Sequence, residues 1–135
     1  MTGRSRNADD LRVEIQELFA DRWQVPLFSG RRYRFQPMCD VFRTDDPPAW
    51  HVVLEVPGVD PSAVRVAVTD GALLVAGVRE RPKSPGARYR QMEIEYGTFE
   101  RRVELGESVD ADRVRASSEQ GMLRIVLPLV REQGG

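Results

Sequence analysis

The sequence predicts an all-β fold, an antiparallel β-sandwich, with an amphipathic helical arm on its amino-terminal side. Three observations support this. From Pro37 onward, short stretches alternate apolar and polar residues with a period of two, each bounded by turn residues. No helical period lies between them, so the strands must pair as hairpins and bury their apolar faces sheet on sheet. Residues 1–36 differ, because their apolar residues recur three and four apart, the spacing of a helix face.

In chain order, Asn7 can cap the first helix, with Asp9 and Asp10 in the first turn where the helix dipole favours negative charge. Leu11, Ile15, Leu18, Phe19 and Trp23 then form one apolar stripe, and Pro26 marks the stop. Such a stripe either packs on its own domain or buries itself against another subunit or an unfolded client. Ser29 to Phe35 mixes Gly30, three arginines and aromatics, and is expected to be an extended linker.

Pro47-Pro48 is expected in a loop. Trp50, Val52, Leu54 and Val56 alternate with His51, Val53 and Glu55, a half-buried strand ended by Pro57-Gly58. Val64, Val66 and Val68 alternate with Arg65, Ala67 and Thr69; Asp70-Gly71 then turns the chain into Ala72 to Val78, a hairpin. Pro82 to Gly86 is a loop. Tyr89 to Val103 carries strand residues broken at Gly97, and Val114–Ser117 with Met122–Leu127 forms a second hairpin around Gln120-Gly121. The expected division is an arm at 1–36, a sandwich at 37–129 and a short tail at 130–135. The chain has no internal repeat and no low-complexity tract.

A chain of 135 residues is long enough for one domain with its own core, and its 41% hydrophobic and 30% charged composition is that of a globular protein. The net charge of −1 supplies no field that would gather nucleic acid or an acidic membrane. Cys39 is the only cysteine, which excludes an internal disulfide framework. No apolar run approaches the ~18 residues of a membrane span, and Met1-Thr2-Gly3-Arg4-Ser5-Arg6 leads into acidic residues, not an apolar signal core. The expected location is cytoplasmic.

The search for chemistry returns little. His51 is the only histidine, and one His with one Cys makes no zinc set. A Cys39–His51 nucleophile pair would lack an oxyanion loop and an orienting group. There is no Gly-rich phosphate loop, and Asp9-Asp10 and Asp45-Asp46 fit caps and turns. The expectation is no enzyme, no cofactor and no metal. Arginine is interleaved with aromatics at Arg31-Arg32-Tyr33-Arg34-Phe35 and at Arg88-Tyr89-Arg90. Such clusters can stack on single-stranded nucleic acid, but with balanced charge a protein interface explains them better.

Three motifs give the chain a family likeness: Pro57-Gly58-Val59 closing a strand, Gly97-Thr98-Phe99-Glu100-Arg101, and Ala116-Ser117-Ser118-Glu119-Gln120-Gly121-Met122-Leu123. In this order and at these spacings, Pro37 to Leu129 resembles the α-crystallin domain of small heat-shock proteins, in its bacterial form. The resemblance implies an immunoglobulin-like sandwich that dimerises, assembles further and acts as an ATP-independent holdase chaperone. It implies that the segment Arg79–Gln91 is a loop whose strand Arg88-Tyr89-Arg90-Gln91 swaps onto a partner subunit. It places Arg101 in ionic contacts at or near the dimer interface, and Ala116 and Leu123 in the core. Gly121 would hold a turn geometry closed to other residues. Clients would be unfolded proteins, held by Leu11, Ile15, Leu18, Phe19 and Trp23, with a groove beside Val64, Val66 and Val68 as the second place to bind them. Hand-over of clients to ATP-dependent chaperones is a further implied partnership.

Two departures stand out. Leu105-Gly106 replaces the family's usual Leu-Pro, and the chain ends at Val130-Arg131-Glu132-Gln133-Gly134-Gly135 with no Ile-x-Ile-type docking motif. Leu127-Pro128-Leu129 has that pattern but is expected to end the last strand. A dimer or small homo-oligomer is therefore expected in place of a large shell. The alternative reading is a p23-like co-chaperone sandwich that binds one folded partner as a monomer.

Overall fold

Two tight turns set the hairpins. At Asp70-Gly71 φ is 34° and 75°, and at Gln120-Gly121 it is 54° and 79°. Two successive residues in the left-handed region give the turn whose twist matches paired antiparallel strands. Glycine takes the second position at no steric cost. At Gly121 it is needed twice over, since a Cβ would also stand 3.3 Å from Pro57.

The computed structural model describes residues 35–131. The expected helix on Leu11, Ile15, Leu18, Phe19 and Trp23 lies outside these residues. Within them run seven strands: β1 (Cys39–Asp45), β2 (Pro48–Glu55), β3 (Arg65–Thr69), β4 (Ala72–Arg79), β5 (Gly97–Glu104), β6 (Arg115–Glu119) and β7 (Met122–Pro128). They form two antiparallel sheets, one ordered β1-β2-β7-β6 and the other β3-β4-β5. The antiparallel sandwich expected from the period-two stretches is the fold observed.

Alternation fills the space between the sheets. Val52 and Leu54 of β2, Val66 and Val68 of β3, Leu73 and Val75 of β4, Phe99 of β5 and Leu123, Ile125 and Leu127 of β7 are all buried in one cluster. Each such side chain removed from water contributes ~1.5–3 kcal/mol. Ala116 and Leu123 are core residues, as expected. β4 is central to its sheet and is buried from Ala72 through Ala76 on both faces. Its sequence is accordingly a continuous apolar run and does not alternate.

Several boundaries differ from the sequence reading. Pro48 opens β2 and is not in the preceding loop, a first position where proline's missing N–H costs the ladder nothing. β1 was not anticipated, because Val41 and Phe42 are adjacent apolar residues among charges and show no period. Tyr89 to Tyr96 holds no strand; regular pairing begins at Gly97. The core also begins earlier than Pro37, since Phe35 is 7% exposed and packs edge-to-face on Phe99, ring centroids 5.6 Å apart. Two short 3-10 turns, Pro61–Ala63 and Ala111–Arg113, are each capped by an aspartate carboxylate, Asp60 and Asp110.

Candidate partner-binding surface

Strand order leaves β1 at the border of its sheet, so one side of its backbone has no partner strand among the described residues. Around it, Met38, Val41 and Phe42 are exposed large apolar residues. Facing solvent elsewhere is the segment from Glu80 to Glu95, every residue of which is exposed. It presents Tyr89 at 51%, Met92 at 56% and Ile94 at 62% exposure. Met92 and Ile94 alternate with Glu93 and Glu95, the pattern of a strand, yet the segment pairs with no strand among the described residues. That alternation falls within the strand residues expected from Tyr89 to Val103, although the swapped strand was expected to stop at Gln91.

Of the residues expected at a dimer interface, Arg88, Tyr89, Arg90 and Gln91 all lie on this exposed segment. Arg81 stands over the Tyr89 ring at 5.6 Å, and Gln91 Nε2 donates to Glu93 Oε2 at 2.6 Å. Arg101 lies apart from them, midway along β5. It shares the inward face with Phe99 and Val103, both buried, and is itself half-buried. Its Nη1 donates to the Pro37 carbonyl at 3.5 Å, and no carboxylate lies within ion-pair reach of it among the described residues.

Cys39 neighbours Arg101. Burial pushes the thiol's pKa up, against the opposing influence of the Arg101 charge, so the protonated, unreactive form holds at neutral pH. His51 lies on the other face of the sheet: β1–β2 register sets Cys39 across from Leu54 and His51 across from Phe42. The His51 ring stacks on Phe42 at 4.7 Å, and its Nε2 sits 3.0 Å from Thr44 Oγ1. The Cys39–His51 pair does not form. No group of three metal-ligating side chains occurs among the described residues.

Val64, Val66 and Val68 require a correction. They are 7%, 1% and 7% exposed and belong to the core cluster. Val66 and Val68 face the core from β3 and Val64 does so just before it, so the three give the surface beside β3 no open apolar wall. Leu127 is fully buried within β7, and Leu129 is bridged to Val109. The Leu127-Pro128-Leu129 pattern is thus committed to the sheet, as expected.

At the end of the sandwich, Glu107 accepts from Arg43 Nε at 2.9 Å and from Trp50 Nε1 at 2.8 Å. The Arg43 hydrogen bond, aided by that of Trp50, holds the Glu107 carboxyl below the usual glutamate range. Asp110 is lowered in the same sense by Arg113. Both carboxylates thus hold chain segments together within the fold.

The model of the Hsp20/alpha crystallin family matches residues 43–134. The chain belongs to that family. Among curated relatives it is similar to spore protein SP21 of Stigmatella aurantiaca, 35% identical over 90% of this chain and 68% of the relative. It is also similar to heat shock protein 16 of Schizosaccharomyces pombe, 33% identical over 87% of this chain and 85% of the relative. Among solved structures, heat shock protein 16.0 from Schizosaccharomyces pombe aligns with a TM-score of 0.65 at 29% identity, covering 75% of this chain and 93% of that one. A small heat-shock protein from Xylella fastidiosa aligns at 0.64 and 29%, covering 76% and 93%. Small heat-shock proteins are chaperones and not enzymes, they form oligomers, and they bind client proteins. No helix among the described residues is long and apolar enough to cross a membrane.

Proposed function

We propose that this small heat-shock protein is an ATP-independent holdase, active as a homodimer or small homo-oligomer, which binds partly unfolded proteins and limits their aggregation. The observation that supports this best is the exposed segment from Glu80 to Glu95. A chain that offers Tyr89, Met92 and Ile94 to solvent, and has an open border at β1 elsewhere, is suited to completion by another copy. In this reading Arg88-Tyr89-Arg90-Gln91 reaches the partner subunit, Arg101 finds its carboxylate there, and Leu11, Ile15, Leu18, Phe19 and Trp23 hold clients. Work in the cytoplasm, where Cys39 stays reduced, and hand-over of clients to ATP-dependent chaperones complete the proposal. A monomeric p23-like adaptor would leave the exposed segment without a purpose.

The test joins size and activity. The intact chain should run as a dimer or small oligomer and suppress aggregation of a heated client equally with and without ATP. Deleting Ser84 to Gln91 should give monomers. A dimer that survives the deletion rejects the swapped segment, and absence of protection by the intact chain rejects the holdase.

A further inference from the structure

Arg79 is the last residue of β4, opposite Gly97 of β5, and its guanidinium is shared by three stretches of chain. Nε and Nη2 both donate to the Glu95 carbonyl, Nε at 3.0 Å, and Nη1 donates to the Pro57 carbonyl at 3.1 Å. The same group lies 3.8 Å from the centroid of Phe35 and 5.5 Å from that of Tyr96. The Arg81 guanidinium lies 4.6 Å from the Tyr96 ring centroid and 5.6 Å from that of Tyr89. No carboxylate pairs with Arg79 among the described residues. Carbonyl dipoles and aromatic faces stabilise its charge, a combination that needs the planar fork of arginine and that a lysine ammonium cannot reproduce.

The placement of these contacts matters. Phe35 is where the chain from the amino-terminal arm meets the core, held there by Phe99. Glu95 and Tyr96 are where the exposed 80–95 segment returns to β5. We infer that Arg79 is a positioning residue that locks the root of the arm to the root of this loop. Given the proposal that the loop docks on a partner subunit, docking then restrains the arm, and displacement of the arm loosens the loop by the same factor. Among the described residues, Arg79 thus ties the root of the arm to the root of the loop.

Hydrogen exchange on the intact chain tests this, read in peptides spanning 35–38 and 92–97, with β7 as the internal standard. Phe35→Leu keeps an apolar side chain but removes the aromatic face. It should speed exchange at 92–97 through Arg79 by between about two- and thirty-fold, and a β5 peptide around Phe99, which Phe35 touches directly, separates that route from loss of core packing. Arg79→Ala and Arg79→Lys should each release both peptides together, and Phe35→Leu should add nothing at 92–97 in the Arg79→Ala background. Parent-like exchange at 92–97 in Phe35→Leu overturns the inference, as does full protection in Arg79→Lys. A uniform rise that includes β7 overturns it too, because Arg79 would then support the whole fold. Should the Ser84–Gln91 deletion leave the dimer intact while the exchange linkage holds, the docking proposal fails and the lock between the two roots stands.

Discussion

Gly77 of β4 stands directly across from Phe99 of β5, and a Cβ at Gly77 would lie 2.8 Å from the aromatic ring. The glycine is therefore a space requirement: Phe99 lies over it at 0% exposure, and Phe35 packs against Phe99. Gly77→Ala should destabilise the domain by about 1–3 kcal/mol through overpacking. Urea unfolding checks this, and Gly77→Ala with Phe99→Leu should recover part of the loss. A lone Gly77→Ala with parental stability would show that the ring moves freely.

Arg101 faces inward, donates to the Pro37 carbonyl at 3.5 Å and pairs with no carboxylate among the described residues. If a partner subunit supplies its carboxylate, Arg101→Gly leaves that carboxylate buried and unpaired, at a cost of about 3–5 kcal/mol to the assembled form. Its melting temperature should fall and its oligomer size should change. Parental values for both would return Arg101 to the reading of a surface arginine.

Acid should act through Glu107. Its folded-state pKa is lowered, first by the Arg43 hydrogen bond, so its stabilising contribution is present above the unfolded pKa. That contribution is lost as pH falls through the folded value, and Asp110 adds a loss of the same sign. Glu107→Gln should therefore flatten the dependence of urea midpoint on pH across and below the ordinary glutamate range. Trp50, hydrogen-bonded to Glu107, gives a fluorescence report once Trp23 is replaced by phenylalanine. An acid slope unchanged in Glu107→Gln would assign it to other carboxylates.

Client binding by the arm is the prediction furthest from the sandwich. Several large apolar side chains, each worth ~1.5–3 kcal/mol when buried, could hold a client in the micromolar range after ordering costs. Replacing Leu18 and Phe19 with serine should leave the strand signature in circular dichroism intact while protection of an aggregating client falls sharply. Full protection by the folded double variant would move client binding to another surface.

The hairpins were legible because turn chemistry and alternation agreed: Asp70-Gly71 and Gln120-Gly121 each sit between period-two stretches. β1 was not, because a border strand buries little and so places weak demands on its residues. The candidate site was legible only in part. Arg88 to Gln91 and Arg101 came from family likeness, whereas Met92 and Ile94 carried a readable alternation. The junction at Arg79 leaves no local pattern, since Phe35, Pro57 and Glu95 meet it only after the sheets have formed. Burial of Val64, Val66 and Val68 follows from the sandwich itself, which turns an alternating strand's apolar face inward.

The border of β1 has a consequence for the protein's own solubility. Asp40, Arg43 and Asp45 are interspersed with the exposed Val41 and Phe42, so an indiscriminate hydrophobic strand laid along it would bring apolar groups against charge. A segment such as Arg88-Tyr89-Arg90, with its own charges, suffers less from that mismatch. Under the proposed docking of that segment on a partner's β1, heating or dilution that frees single chains would expose a border that resists fibrillar stacking and favours re-pairing. A chaperone that meets aggregating clients under stress gains from such a guard, because its reserve of free subunits is not consumed by the process it opposes.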